Sequence, residues 1–304
     1  MMKLLKFLPL LAIIACNENN ATVAVQKQAV TTEQNKAESR PLTKAFKDYW
    51  YAGTAEISSY DLKQARYGEM RNGTAVMVFV TEPMDAQAQV KADQPKDSNI
   101  PVLKLNATRN FNTGIYPYSM MSSTFLPLNT KVNATKITAS IQEWCGHTFM
   151  QFNNRNGSYD VMLRSYFQSE GDTIVTIDDI LTENQIPAQL RLGPQAMPQG
   201  SFNIIPSAEF LRLKHVQTAA TKAIASLTES DSQFVYSVEM PDLNRIITYT
   251  TSNQFPYTVM EWTDSYEDGG TMMETTATLK KTIQSAYWSK NSNADEYLRK
   301  ELGL

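Results

Sequence analysis

A chain of 304 residues with 28 basic and 31 acidic side chains carries a formal charge of −3, with two cysteines and two histidines. Mild acidity without a basic run excludes nucleic-acid binding driven by phosphate contacts. So few histidines and cysteines exclude a zinc or copper site of ordinary composition, and no metal or other cofactor is expected.

Met1–Ala15 reads as a secretory leader. Lys3 and Lys6 precede Phe7–Ala15, an apolar run of nine residues, about half of the ~20 that a membrane-spanning helix needs. The run ends in Ile13-Ile14-Ala15-Cys16, which resembles the bacterial lipobox. That resemblance implies cleavage before Cys16 and lipid attachment to its sulfur. Losing two lysines and no acid takes the mature charge to −5. From Cys16 to Pro41 the chain is rich in Asn, Gln, Glu, Thr and Ala and has no aromatic residue. Such a segment buries too little apolar area to offset its ordering entropy. It is expected to act as a tether of about 25 residues with a reach of roughly 25–30 Å. Residues 42–304 are then a single, mostly β domain. If Cys16 carries lipid, Cys145 has no disulfide partner within the chain.

From Tyr49 onward, apolar residues alternate with polar ones and turn residues separate the runs. Gln64–Met70 and Thr74–Thr81 flank Asn72-Gly73, the sequence of a type I′ hairpin turn. Ala75–Val80 is apolar at successive positions, which predicts a central strand covered on both faces. Val102–Arg109 and Ile115–Leu126 bracket Asn112-Thr113-Gly114. Lys136–Phe152 and Ser158–Gln168 bracket a turn that ends in Asn156-Gly157. A helical interlude is expected next. Thr176 would cap a helix through Leu181 with Asp178 and Asp179 in its first turn, and Pro187 would open a second short helix through Leu192. Strands resume from Phe202 to about Thr282, with turns near Thr228–Asp231, Asn253–Pro256 and Asp268-Gly269-Gly270. Within that run Leu211, Leu213 and His215 alternate as on a strand. The chain ends in a helix opened by a Ser292/Asp295 capping box, with Ala294, Tyr297, Leu298 and Leu302 as its apolar stripe. The predicted fold is mainly β: a large curved antiparallel sheet, partly closed, with short helices and a C-terminal helix.

Only one group of residues has the composition of a reactive site. On a strand, Glu143, Cys145 and His147 would share a face about 6.5–7 Å apart. An imidazole beside a thiol, with a carboxylate behind it, is the arrangement that activates cysteine nucleophiles, and the same trio suits a soft metal. A packed, inert Cys145 with a hydrogen-bonded His147 is the favoured reading, because a bend is needed before strand neighbours can bond. Aromatic residues recur at Tyr49-Trp50-Tyr51, Tyr116-Pro117-Tyr118, Trp144 and Tyr287-Trp288. Trp50, Tyr116, Tyr118 and Trp144 are the candidates for lining a ligand groove. The two Tyr-Trp pairs, near the start and the end of the domain, are expected to pack together. Asp172-Thr173-Ile174 is similar to the short O-glycosylation acceptor sequence of Bacteroidota, which makes Thr173 a candidate glycosylation site.

Several longer runs carry a family resemblance. Lys47-Asp48-Tyr49-Trp50-Tyr51-Ala52-Gly53, Gln64-Ala65-Arg66-Tyr67-Gly68, Asn112-Thr113-Gly114-Ile115-Tyr116-Pro117-Tyr118-Ser119, Gln142-Glu143-Trp144-Cys145-Gly146-His147 and Tyr287-Trp288-Ser289-Lys290 together resemble a family of flavobacterial lipoproteins with no established activity. Some of its members carry the label "septum formation inhibitor Maf", but the phosphate-binding run of Maf proteins is absent from this sequence. The succession of long hairpins around a helical interlude also resembles the curved sheets of LolA and LolB, a likeness of fold alone. The expected function is that of an exported lipoprotein, lipid-anchored to a membrane, most simply the outer one. It would bind a hydrophobic ligand or a partner protein without catalysis. The alternative is an envelope thiol enzyme using Cys145 and His147.

Overall fold

The computed structural model describes residues 38–304. The leader, Cys16 and the tether up to residue 37 lie outside the described residues. Residues 38–41, expected to belong to the tether, are already held by the body: Ser39 bridges to Thr130, and the Arg40 N–H donates to the Asn129 carbonyl.

A short helix, α1 (Lys44–Trp50), leads into β1 (Ala55–Arg66), β2 (Glu69–Asp85), β3 (Val90–Lys91), β4 (Asn99–Thr113), β5 (Tyr116–Pro127), β6 (Lys136–Glu143), β7 (Gly146–Arg155), β8 (Ser158–Ser165) and β9 (Thr173–Asp178). Then come β10 (Leu181–Thr182), a 3₁₀ turn at Glu183–Gln185, α2 (Ile186–Leu190), β11 (Gly200–Ile205) and α3 (Ala208–Lys214). The rest is β12 (Thr221–Glu229), β13 (Gln233–Met240), β14 (Arg245–Ser252), β15 (Val259–Asp268), β16 (Thr271–Ser285) and α4 (Tyr297–Glu301). All sixteen strands join one sheet, ordered β10-β11-β12-β13-β14-β15-β16-β1-β2-β4-β5-β6-β7-β8-β9, with β3 attached to β2. Every pairing is antiparallel except the two-residue β10–β11 contact. The expected mainly-β architecture is therefore present.

The sheet is open, yet its edges approach each other. β9 and β10, the two edge strands, are separated in the chain by Asp179 and Ile180 alone. A link that short holds the edges within about 10 Å, so the sheet curls around its concave face without a closing ladder. The 3₁₀ turn, α2 and α3 fill that face. Leu190, Ile186 and Ala188 pack with Met77, Phe79 and Leu105 from one half of the sheet and with Tyr236, Val238 and Ile247 from the other. On the convex side a smaller cluster of Ala55, Ile57 and Val80 is covered by Leu302 just beyond α4. Ala75, Met77 and Phe79 belong to the concave core, while Val76, Val78 and Val80 belong to the convex cluster. Ala75–Val80 is thus the doubly covered central strand that its composition predicted.

Four local expectations are corrected. Asn72-Gly73 is not a turn: Gly73 lies inside β2 between Leu62 and Phe111, and the turn falls at Tyr67-Gly68, both at positive φ. Gly73 is required for a different reason, since a Cβ there would stand 2.3 Å from the Asn110 carbonyl oxygen. Lys136–Phe152 is a hairpin, β6 and β7, that turns at Trp144-Cys145. Thr176 caps no helix. It pairs with Asp160 in edge strand β9, where polar residues on the open side are the usual protection against edge pairing. Leu211–His215 is helical: Ser207 caps α3 by accepting from the Phe210 N–H, and His215 ends it in the left-handed conformation at φ +53°. Pro187 does open α2, the turn residues before β13, β15 and β16 fall where expected, and the Ser292/Asp295 capping box is formed.

Candidate functional site: an aromatic rim at the hairpin tips

The turns of three neighbouring hairpins, Tyr67-Gly68, Gly114-Ile115 and Trp144-Cys145, lie at one end of the sheet, joined by the loop after β8 and the C-terminal end of α3. From the core outward, Phe111 stacks on Tyr118 at 4.9 Å between ring centroids. Tyr118 leads to Tyr116 at 6.0 Å, and Tyr116 stacks on Trp144 at 6.3 Å. The series runs from buried Phe111 and Tyr118 to Trp144, which is 69% exposed. Ile115 and Tyr166, each 83% exposed, stand on the adjoining tips, and Tyr67 and Met272 add further exposed apolar surface.

Arg66 braces this rim from inside. Its guanidinium carbon lies 4.0 Å from the Tyr67 ring centroid and 5.3 Å from that of Tyr118. Its nitrogens donate to both tyrosine hydroxyls and, at 2.5 Å, to the Leu213 carbonyl at the end of α3. No carboxylate pairs with Arg66 among the described residues. Burial pulls its pKa down, but the Tyr118 and Tyr67 oxygens outweigh that and hold it above the ordinary value. A cation fixed between two rings holds the tips in register.

Of the expected ligand-lining residues, Tyr116, Tyr118 and Trp144 come together here, and Trp50 does not. Trp50 sits 2% exposed in the concave core against Phe79 and Arg191, near the opposite end of β1. The two Tyr-Trp pairs do occupy neighbouring strand ends, since Ala55 faces Ser285 across the β1–β16 ladder. Trp288, however, is exposed and Trp50 is buried. Sequence reading missed Ile115, Tyr166 and Tyr67. The signal available was their place in or beside turns, where a large apolar residue has no core to fill.

The trio Glu143, Cys145 and His147 does not share a face. Gln142 faces His147 and Glu143 faces Gly146 across the β6–β7 ladder, so the pleat sends Glu143 to the concave side and His147 to the convex one. The Glu143 carboxylate accepts from the Cys145 N–H at 2.6 Å and lies 3.9 Å from the Arg212 guanidinium. Cys145 is exposed in the turn, not packed as expected. Hydrogen bonding and repulsion from Glu143 raise its thiol pKa above the ordinary 9.0. A thiol with a raised pKa and no imidazole beside it is poorly placed for nucleophilic attack. His215, expected at a strand end, instead approaches Glu170 at 2.5 Å from Nδ1. Thr173 is exposed at the start of edge strand β9.

Comparison with known protein families, curated proteins and solved structures gives no match. The site's own chemistry must therefore carry the functional reading.

The concave face encloses a cavity of about 30 Å³ between Met77, Arg109, Glu183, Glu209 and Trp262. That space suits one water molecule and excludes an acyl chain. Two buried ion-pair ties join the filling segment to the sheet. Arg191 pairs with Glu56, which also accepts from Tyr49; burial first, and the Glu56 carboxylate second, push the Tyr49 hydroxyl up to about 12. Arg245 donates to Glu183 at 2.6 and 2.7 Å and to Asp264 at 2.7 and 2.9 Å, with Phe210 of α3 stacked 3.8 Å from its guanidinium.

Proposed function

We propose that this chain is an envelope lipoprotein, held by lipid on Cys16, that binds a partner protein through the aromatic rim and performs no chemistry of its own. The carrying observation is the exposure of Ile115, Trp144 and Tyr166 at one end of the sheet, where Arg66 braces the neighbouring Tyr67 and Tyr118 from inside. Rigid aromatic side chains at low rotamer entropy are the residues that dominate protein interfaces, and exposed apolar clusters of this kind mark such surfaces. The position of the rim supports the reading. Arg40, next to the expected tether, binds the Pro127 end of β5, whereas the rim is at its Tyr116 end. Eleven residues of strand separate the two, about 36 Å. The rim and the first described residues are thus at opposite ends of β5.

Site-specific photo-crosslinking in the native envelope tests this. A benzophenone side chain at Ile115 or Tyr166 is expected to give one discrete protein adduct, absent when the same group replaces exposed Lys63 and lost when Trp144→Ser is added. Equal adducts from rim and control positions, or none from the rim, would overturn it. Acyl-group mass spectrometry of the mature N-terminus checks the Cys16 anchor separately.

A further inference from the structure

At the end of the sheet opposite the rim, two apolar clefts adjoin across Arg40. One, of about 380 Å³, runs between Val132 and the Leu192, Ala196 and Met197 wall. The other, of about 180 Å³, lies between Leu42 and Phe255. Arg40 and Leu192 line both. The Arg40 backbone is fixed on two sides: its N–H donates to Asn129 O at 2.9 Å, and the Lys131 N–H donates to Glu38 O at 2.7 Å. Its Nη1 donates to the Pro127 carbonyl at 2.8 Å and to that of Leu128 at 3.3 Å. Those acceptors are neutral, and among the described residues Nε and Nη2 make no hydrogen bond and no carboxylate pairs with the guanidinium. Burial alone lowers its pKa. Two other charged side chains, Lys131 and Asp179, line the larger cleft. Lys131 pairs with Glu38, and Asp179 accepts from the side-chain amides of Asn133 and Asn154 at 2.8 and 2.7 Å.

A guanidinium held half-buried, with one edge unused and apolar walls on either side, matches a molecule with an anionic head and an apolar body. Carboxylate and phosphate both present the paired oxygens that such a fork accepts. The combined clefts fall within the range of small-molecule sites, which are mostly apolar with a few placed polar groups. We propose that this groove binds a single-chain amphiphile by its carboxylate or phosphate monoester head, with the head on Arg40 and the chain along Leu192 and Met197. The site is independent of the rim and of its partner. It lies at the end of the sheet nearest the expected anchor, within reach of membrane-derived amphiphiles.

The test is a titration of the full chain, reconstituted in zwitterionic nanodiscs, with carboxyl-labelled decanoate followed by carbon NMR, using decanol as the neutral control. Saturable binding with a shifted carboxyl resonance is expected, together with decanol binding at least about tenfold weaker. Arg40→Gln should weaken decanoate by about tenfold or more, the worth of a charge-assisted bidentate contact. Ala196→Trp, which fills the larger cleft and leaves Arg40 in place, should abolish binding while the far-ultraviolet circular dichroism stays unchanged. This second variant keeps the test decisive if Arg40→Gln fails to fold. Nanodiscs containing lysophosphatidic acid, a single-chain phosphate monoester, separate two sources of the anion: competition with decanoate there places a lipid head group in the site, and unchanged binding leaves it to free amphiphiles. Equal affinity for decanol and decanoate, or decanoate binding that survives both substitutions, would overturn the proposal.

Discussion

Cys145 shows how one side chain's chemistry is set by its neighbour. An exposed thiol in a turn ordinarily reacts freely, but the Glu143 carboxylate bonds across the turn and opposes the thiolate. The thiolate is the reactive species, so labelling should be slow near neutral pH and rise only above the ordinary thiol range. Glu143→Gln keeps the side-chain shape and removes the charge. Alkylation of that variant by iodoacetamide at pH 8 is expected to be several-fold faster than in the parent. Identical rates would mean that Glu143 does not control the thiol. The pleat separating Glu143 from His147 was not legible in the sequence, because the turn falls on Trp144-Cys145. Neither is a turn-forming residue, and the nearby Gly146 made the run look like a strand with a bend. Gly73 misled in the opposite direction. Asn-Gly is the strongest short hairpin signal, yet here the glycine is needed for the close approach of β4.

At the scale of elements, Arg245 ties the filling segment to the sheet. Glu183 begins the 3₁₀ turn before α2, Phe210 belongs to α3, and Asp264 lies on β15. Burial alone would raise the Glu183 pKa, but the Arg245 charge and hydrogen bonds, with the Ser207 N–H, hold it below the ordinary 4.5. Its stabilisation is therefore complete above that value and is lost as pH falls through the lower folded value. Asp264 runs the other way: burial raises it despite Arg245, so its contribution grows as pH falls. Glu183→Gln is expected to lower stability at pH 7 by about 2–4 kcal/mol, as for breaking a buried charge pair. It should also flatten the loss of urea midpoint as pH falls below about 4.5, because the acid-labile partner is gone. A variant whose midpoint falls as steeply as the parent's would assign the acid sensitivity elsewhere. Segments of this kind explain why the strands were easier to read than the helices. Strands with one face in the core and one in solvent print a period of two along the chain. α3 prints no helical period, because all of Ala208–Leu213 is buried, and an all-buried run of six residues fits either pattern.

For the whole molecule, the question is whether the helices inside the curl are core or lid. A lid would rest on few contacts and open at a small fraction of the global stability. Here α2 joins both halves of the sheet in one apolar cluster, and buried guanidinium groups on Arg191 and Arg245 fasten it to β1, β14 and β15. The cavity between Met77, Arg109, Glu183 and Trp262 is about 30 Å³, room for water but not for an acyl chain. Hydrogen exchange in the native state measures this directly. The Leu190 and Arg191 amides, which donate within α2, are expected to exchange only through global unfolding, with the same free energy as amides of Phe79 and Leu105 at the sheet centre. The Trp50 and Trp262 fluorescence should then change with the far-ultraviolet signal in a single urea transition. If α2 instead exchanged at a free energy several kcal/mol below that of the central strands, the filling segment would be a lid over a concave ligand site. The rim would then be the mouth of a carrier and not the recognition surface of a solid scaffold. Full protection of α2 would keep the proposed contacts at the hairpin tips and the Arg40 groove, at opposite ends of the sheet.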